Sequence, residues 1–84
     1  MSRHPLLDRI VADPRVCAGR PVVKGTRIWV THVLALLGEG RSHEHIIAHY
    51  PPLTEDDIRA CLLYGALMTA WEEVEPPSGM KKSA

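Results

Sequence analysis

Two proline pairs, Pro51-Pro52 and Pro76-Pro77, bracket residues 53–75, and what lies between them limits what the chain can become. Thr54 starts a helix there, and Asp57 at the third helical position makes a shortened capping box. Ile58, Cys61, Leu62, Gly65, Ala66 and Thr69 recur at spacings of three and four, forming one stripe. Leu63, Leu67, Ala70, Trp71 and Val74 form a second. A helix apolar over so much of its girth has to be covered on more than one side. Shorter upstream helices can cover one stripe; the other then faces a second chain. The small size of the chain, 84 residues, points the same way, because so short a domain buries a modest core. A dimer or a protein partner is expected, with Trp29, Leu63, Leu67, Trp71, Glu72 and Glu73 as interface residues.

Upstream of that helix the chain changes period. Before Thr31 the apolar runs are short, β-branched and stopped by breakers. Arg9-Ile10-Val11-Ala12 ends at Asp13-Pro14, and Gly19-Arg20-Pro21 precedes Val22-Val23 and Thr26-Arg27-Ile28-Trp29-Val30. The last two runs, joined across Lys24-Gly25, predict a hairpin, because glycine supplies the positive φ of a tight turn. From Thr31 the spacing is helical. Thr31 is the expected cap of a helix carrying Val33, Leu34, Leu36 and Leu37, ended by Gly38 or Gly40. Ser42 caps a second helix, with Glu44 in its first turn, and Pro51-Pro52 stops it. The predicted fold is mainly α. A small N-terminal β-segment (a short strand plus a hairpin, residues 8–30) leads into a three-helix, helix-turn-helix-like unit over 31–75. Together these make one dimeric domain, residues 1–75, and residues 76–84 have the composition of a disordered tail.

The net charge is zero but unevenly spread. Residues 1–30 carry six Lys/Arg against two acids, and residues 31–84 four against eight. The halves either meet two different partners or pair with each other. No run approaches the ~18 apolar residues of a membrane span, and the start lacks the apolar core of a signal peptide. A cytoplasmic protein without membrane attachment is expected, with Cys17 and Cys61 as reduced thiols.

Most chemistry fails on spacing. A P-loop needs Gly-Lys-Thr at a helix start, whereas Lys24-Gly25-Thr26 follows a strand-like run. His45 and His49 are four apart on one face, close to His43, but no further ligand accompanies them. Asp56 and Asp57 lie in the first turn of a helix, where the dipole accounts for them. Neither cysteine has an adjacent base. No catalytic residue, metal or cofactor is assigned, and the chain is read as a non-enzyme.

DNA binding fits better. Three helices, the last two joined by Pro51-Pro52-Leu53, give the order of a helix-turn-helix unit. The third helix opens with Glu55-Asp56-Asp57, which a phosphate-lined groove would repel. Arg20, Lys24 and Arg27, around the hairpin tip, are better candidates for nucleic-acid contact, against the alternative of a solvated basic turn.

The run "DRIVADPRVCAGRPVVKGTRIWVTHVLALLGEG", with "IIAHYPPLTEDDIRACLLYGA" after it, resembles the bacterial domain-of-unknown-function family numbered 433. The recurring core is R-I-x-x-D-P-x-x-x-x-G-[KR]-P-x-[IV]-x-G-T-R-[IV], matched here by Gly19, Pro21, Gly25, Thr26, Arg27 and Ile28. Ala18 departs from it where glycine is frequent, Trp29 where proline or a smaller residue is usual, and Gly65 where alanine is. The resemblance implies a β-segment leading into a homeodomain-like or winged-helix-like unit, commonly dimeric. It also implies the antitoxin half of a type II toxin–antitoxin pair, encoded beside a PIN-like nuclease. In that setting the third helix and Glu72, Glu73 and Glu75 would meet the toxin, and the basic half would meet operator DNA. The alternatives are a stand-alone DNA-binding regulator and an interaction module without DNA contact.

Overall fold

The structure, a computed structural model, describes residues 4–70. It opens with a 3-10 turn over Pro5–Arg9, where the ring nitrogen of His4 accepts a hydrogen bond from the Leu6 amide at 3.1 Å. Strand β1 (Ile10–Val11) follows and pairs antiparallel with β2 (Val22–Val23), Ile10 opposite Val23 and Val11 opposite Val22. Helices α1 (Val30–Gly38), α2 (His43–His49) and α3 (Glu55–Ala70) complete the chain. The short strand and the hairpin are both present, but the second arm of the hairpin is reduced to one bridge, Val22 to Trp29. The reason is that Val30 already belongs to α1, and its amide donates to the Pro21 carbonyl at 3.0 Å as the helix begins.

The Asp13-Pro14 turn is closed by Arg15, whose amide donates to Asp13 Oδ1 at 2.9 Å. A second 3-10 turn, Cys17–Gly19, then carries the chain back toward β2 with all three residues at positive φ. Ala18, at φ 58° and ψ 32°, holds a left-handed conformation, which explains why glycine suits that position.

Helix α1 begins two residues earlier than expected. Trp29 is its N-cap, without a side-chain cap bond, and Thr31 lies inside the first turn. Its end follows the sequence closely. Gly40 adopts φ +92°, its amide donates to Leu37 O at 3.0 Å, and the Arg41 amide donates to Leu36 O at 3.1 Å. That pair of bonds is the Schellman arrangement. Ser42 Oγ accepts from the His45 amide at 3.0 Å and caps α2. Thr54 and Asp57 form the reciprocal box at the start of α3: Thr54 N–H donates to Asp57 Oδ2 at 2.9 Å, and Asp57 N–H to Thr54 Oγ1 at 3.2 Å.

The core lies where these elements meet. Ile10, Val23, Val33, Ile46, Leu53 and Ile58 are all essentially inaccessible, and Cys61 joins them. The expected first stripe of α3 holds only in part. Ile58 and Cys61 are buried and Gly65 is half-buried, but Leu62 is 43% exposed and Ala66 and Thr69 face solvent. Full burial on α3 ends at Cys61; Leu63, Tyr64 and Gly65 are half-buried, and from Ala66 onward the helix is exposed. Gly65 lies against α1: an added Cβ would come within 3.0 Å of Leu34 Cδ1.

Candidate functional site

The hairpin tip is built by its own residues. Gly25 adopts φ +81°. Thr26 Oγ1 donates to Val23 O at 2.7 Å and accepts from the Ile28 amide at 3.0 Å, tying both ends of the turn. Gly19 (φ +83°) turns the chain before Pro21, and Ile28 packs against the core. Of the motif residues, Arg27 is the one whose side chain is left exposed and unpaired among the described residues. The Asp13 carboxylate is taken by the Arg15 side chain, at 3.1 and 3.2 Å. That pairing holds the Asp13 carboxyl below its ordinary range, through the Arg15 side chain first and its amide second.

The three basic candidates do not form one patch. Arg20 places its guanidinium over the Trp29 ring, 4.6 Å from the centroid. Arg27 and Trp29 line a hollow of about 240 Å³ together with Ile28, His32 and Tyr50. Lys24 lines another, of about 380 Å³, in the company of Asp8, Arg9 and Asp57. Lys24 therefore shares its surroundings with acids, whereas Arg20 and Arg27 share theirs with aromatic rings.

Arg9 changes its meaning in the fold. Its guanidinium donates to Asp57 Oδ1 at 3.1 Å and lies 3.6 Å from Asp56 Oδ2, so part of the charge asymmetry is settled between the two halves of the chain. Asp57, 6% exposed, is a residue whose weight the sequence did not reveal. The capping spacing was visible, but the partner 48 residues away was not.

The histidines are also separated. His43 pairs with Glu55 at 2.6 Å across the α2–α3 junction. His45 and His49 lie nearly parallel, 7° apart in plane and 6.2 Å between centroids, and line a hollow of about 280 Å³ with His32, Leu36, Arg41 and Tyr50. Among the described residues no three metal-ligating side chains converge.

Of the expected interface residues, Trp29 is 38% and Leu67 46% exposed, and Leu63 is half-buried; Met68, not singled out before, is 51% exposed. Trp71, Glu72 and Glu73, like Val74, Glu75 and the tail over 76–84, lie outside the described residues. No described helix is long and apolar enough to cross a membrane.

Residues 10–65 match the family described as "Protein of unknown function (DUF433)". The chain belongs to that family. The match spans both strands, α1, α2 and most of α3, the part of the molecule that holds the core. A relative in Sinorhizobium fredii (strain NBRC 101917 / NGR234), the uncharacterized protein y4eO, is 34% identical over 55 residues. That alignment takes in 66% of this chain and 25% of y4eO, so the DUF433 chain corresponds to about a quarter of that relative's length. No solved structure matches it.

Proposed function

We propose that this DUF433 chain is the antitoxin half of a type II toxin–antitoxin pair, acting as a homodimer that binds a PIN-like nuclease through the distal half of α3. The observation that carries the reading is the state of that helix. After Cys61 it continues for more than two turns with Leu62, Leu67 and Met68 from 43% to 51% exposed. Isolated helices of a few turns are marginal in water, so a helix end whose apolar side chains its own chain leaves about half uncovered calls for a partner. Covering the exposed halves of these three side chains contributes about 1 kcal/mol apiece. That is too little for a tight complex, so residues from 71 onward, with Glu72, Glu73 and Glu75, have to extend the contact. Their carboxylates suit a basic RNA-binding cleft or its metal.

The test is co-expression with a PIN-like nuclease encoded beside this gene. The parent chain rescues growth, and Leu67→Glu with Met68→Glu abolishes rescue while leaving the isolated fold intact. Rescue that survives both changes would remove α3 from the mechanism. Charge reversal of the three glutamates tests the masking role separately.

A DNA-binding regulator is the second reading, supported by the exposed Arg27, without an ion-pair partner among the described residues, and by Arg20 over Trp29, both beside the hairpin. The first turn of α3 argues against helix-led docking: Glu55 and Asp56 are exposed there, and Asp57 is committed to Arg9. Any operator contact would come from the β-segment.

A further inference from the structure

We propose that the face joining the hairpin to α2 is a binding strip for single-stranded nucleic acid, with aromatic rings that stack on bases and arginines that hold phosphates. The proposal does not depend on the antitoxin reading. It starts from two hollows that share His32 and Tyr50 and so form one continuous surface: Arg27 and Trp29 lie at one end, Arg41, His45 and His49 at the other. No carboxylate lines either hollow among the described residues. In a chain with as many acids as Lys and Arg, that segregation is the first sign of an anionic ligand. Glu39 Oε1 lies 4.0 Å from Arg41 Nε, the outer limit of an ion pair, and both side chains are more than half exposed.

The rings supply the second sign. Tyr50 is held upright between two histidines: His49 meets it edge-on at 4.9 Å and 82°, and His32 at 5.6 Å and 84°. The Tyr50 hydroxyl lies 2.7 Å from His32 Nε2, which fixes the ring further. Trp29 is 38% exposed even with Arg20 over it. A large aromatic kept partly in solvent and backed by a guanidinium is a ready stacking platform. Rings interleaved with cations bind unstacked bases and their backbone with little regard to sequence, and a duplex, whose base faces are already stacked, cannot use them.

Lys24 provides an internal control, because it lies beside Asp8 and Asp57 and off this strip. The chain contains two tryptophans, so Trp71→Phe leaves Trp29 as the only indole. That variant is titrated with fluorescein-labelled oligouridylate, oligothymidylate and a mixed-sequence DNA duplex. Each is about 12 nucleotides long, within the roughly 4–16 that small single-strand modules cover. Anisotropy and Trp29 emission are read together. The expected result is saturable binding of a single strand with quenching of Trp29, weaker binding of the duplex, and an effect of Lys24→Ala too small to measure. Trp29→Ala and Tyr50→Ala each weaken binding roughly tenfold, the loss of one stacked base. Arg27→Ala lowers the salt slope by about 0.7, one single-strand phosphate contact. Tyr50→Phe, which keeps the ring, binds like the parent and separates stacking from misfolding. Binding of either single strand supports the strip, and the tighter of the two identifies the natural class. Absence of saturable single-strand binding overturns the proposal. So does duplex binding as tight as single-strand binding and indifferent to Trp29→Ala, and so does a loss on Lys24→Ala equal to that on Arg27→Ala.

Discussion

Asp57 is engaged three ways: its amide donates to Thr54 Oγ1, Oδ2 accepts from the Thr54 amide, and Oδ1 accepts from Arg9 at 3.1 Å. Asp57→Ala removes a helix cap of about 1 kcal/mol and a charge-assisted bond of about 1.5–3 kcal/mol, partly screened because the Arg9 side chain is 42% exposed. A loss of about 2–3 kcal/mol is expected in urea unfolding, with Arg9→Ala losing less because the cap survives. Arg15→Ala, whose ion pair with Asp13 is at the surface, is expected to change stability little. Cys61 is different in kind. Burial first, and the Asp57 charge second, push its thiol up to about 12. A folded-state pKa above the unfolded one means that the folded chain retains a proton the unfolded chain releases. Stability therefore falls as pH rises from about 9 toward 12, and is unaffected by this group near neutrality. At neutral pH a thiol reagent is expected to label half-buried Cys17 in the native protein and Cys61 only after unfolding. Thr54 and Asp57 were readable as a cap because capping is local in sequence. The bond to Arg9 was not, since no periodicity or propensity encodes a partner 48 residues away.

At the scale of elements, the left-handed positions are the sharpest tests. Gly25→Ala places a side chain at φ +81° and is expected to lose about 1 kcal/mol, although no atom lies within 4 Å of the new Cβ. Ala18→Gly relieves a left-handed alanine and is expected to gain about 0.5 kcal/mol, part of the relief being offset by the freer unfolded chain. Thermal unfolding of both variants measures the two effects with opposite sign. Gly65→Ala should gain less than the ~1 kcal/mol of helix propensity, because Leu34 has to move aside. Ser42, Gly40 and Gly25 were legible because each solves a local backbone problem with its own chemistry. The start of α1 was misread for a related reason: Thr31 has the right side chain, but the Val30 amide bonds back to Pro21 and the helix begins before the hydroxyl is needed. The pairing of β1 with β2 is likewise non-local, closed by a turn with three consecutive positive φ angles that no glycine pattern announced.

For the whole molecule, folding sorts the charges more than it cancels them. Arg9 is drawn to the acids of α3 and Lys24 joins that neighbourhood, while Arg20, Arg27 and Arg41 remain with the rings on another face. From sequence alone Arg20, Lys24 and Arg27 look like one group, since proximity along a hairpin does not say to which side each residue turns. Of the exposed apolar residues of α3, Leu67 was expected on the outward stripe, whereas Leu62 was expected on the covered one and Met68 on neither. Size-exclusion chromatography with light scattering is expected to find a dimer for the parent chain and for Leu67→Glu with Met68→Glu, which removes the nuclease contact alone. Unfolding free energy per folded unit should change little, as both side chains are about half exposed. The proposed antitoxin role is tested most directly by one measurement: calorimetric titration of the full chain into a purified candidate PIN-like nuclease encoded beside its gene. Stoichiometric binding that Leu67→Glu with Met68→Glu removes, alongside loss of nuclease activity in the complex, is the expected result. Absence of binding, or a complex unaffected by the paired substitution, would contradict it.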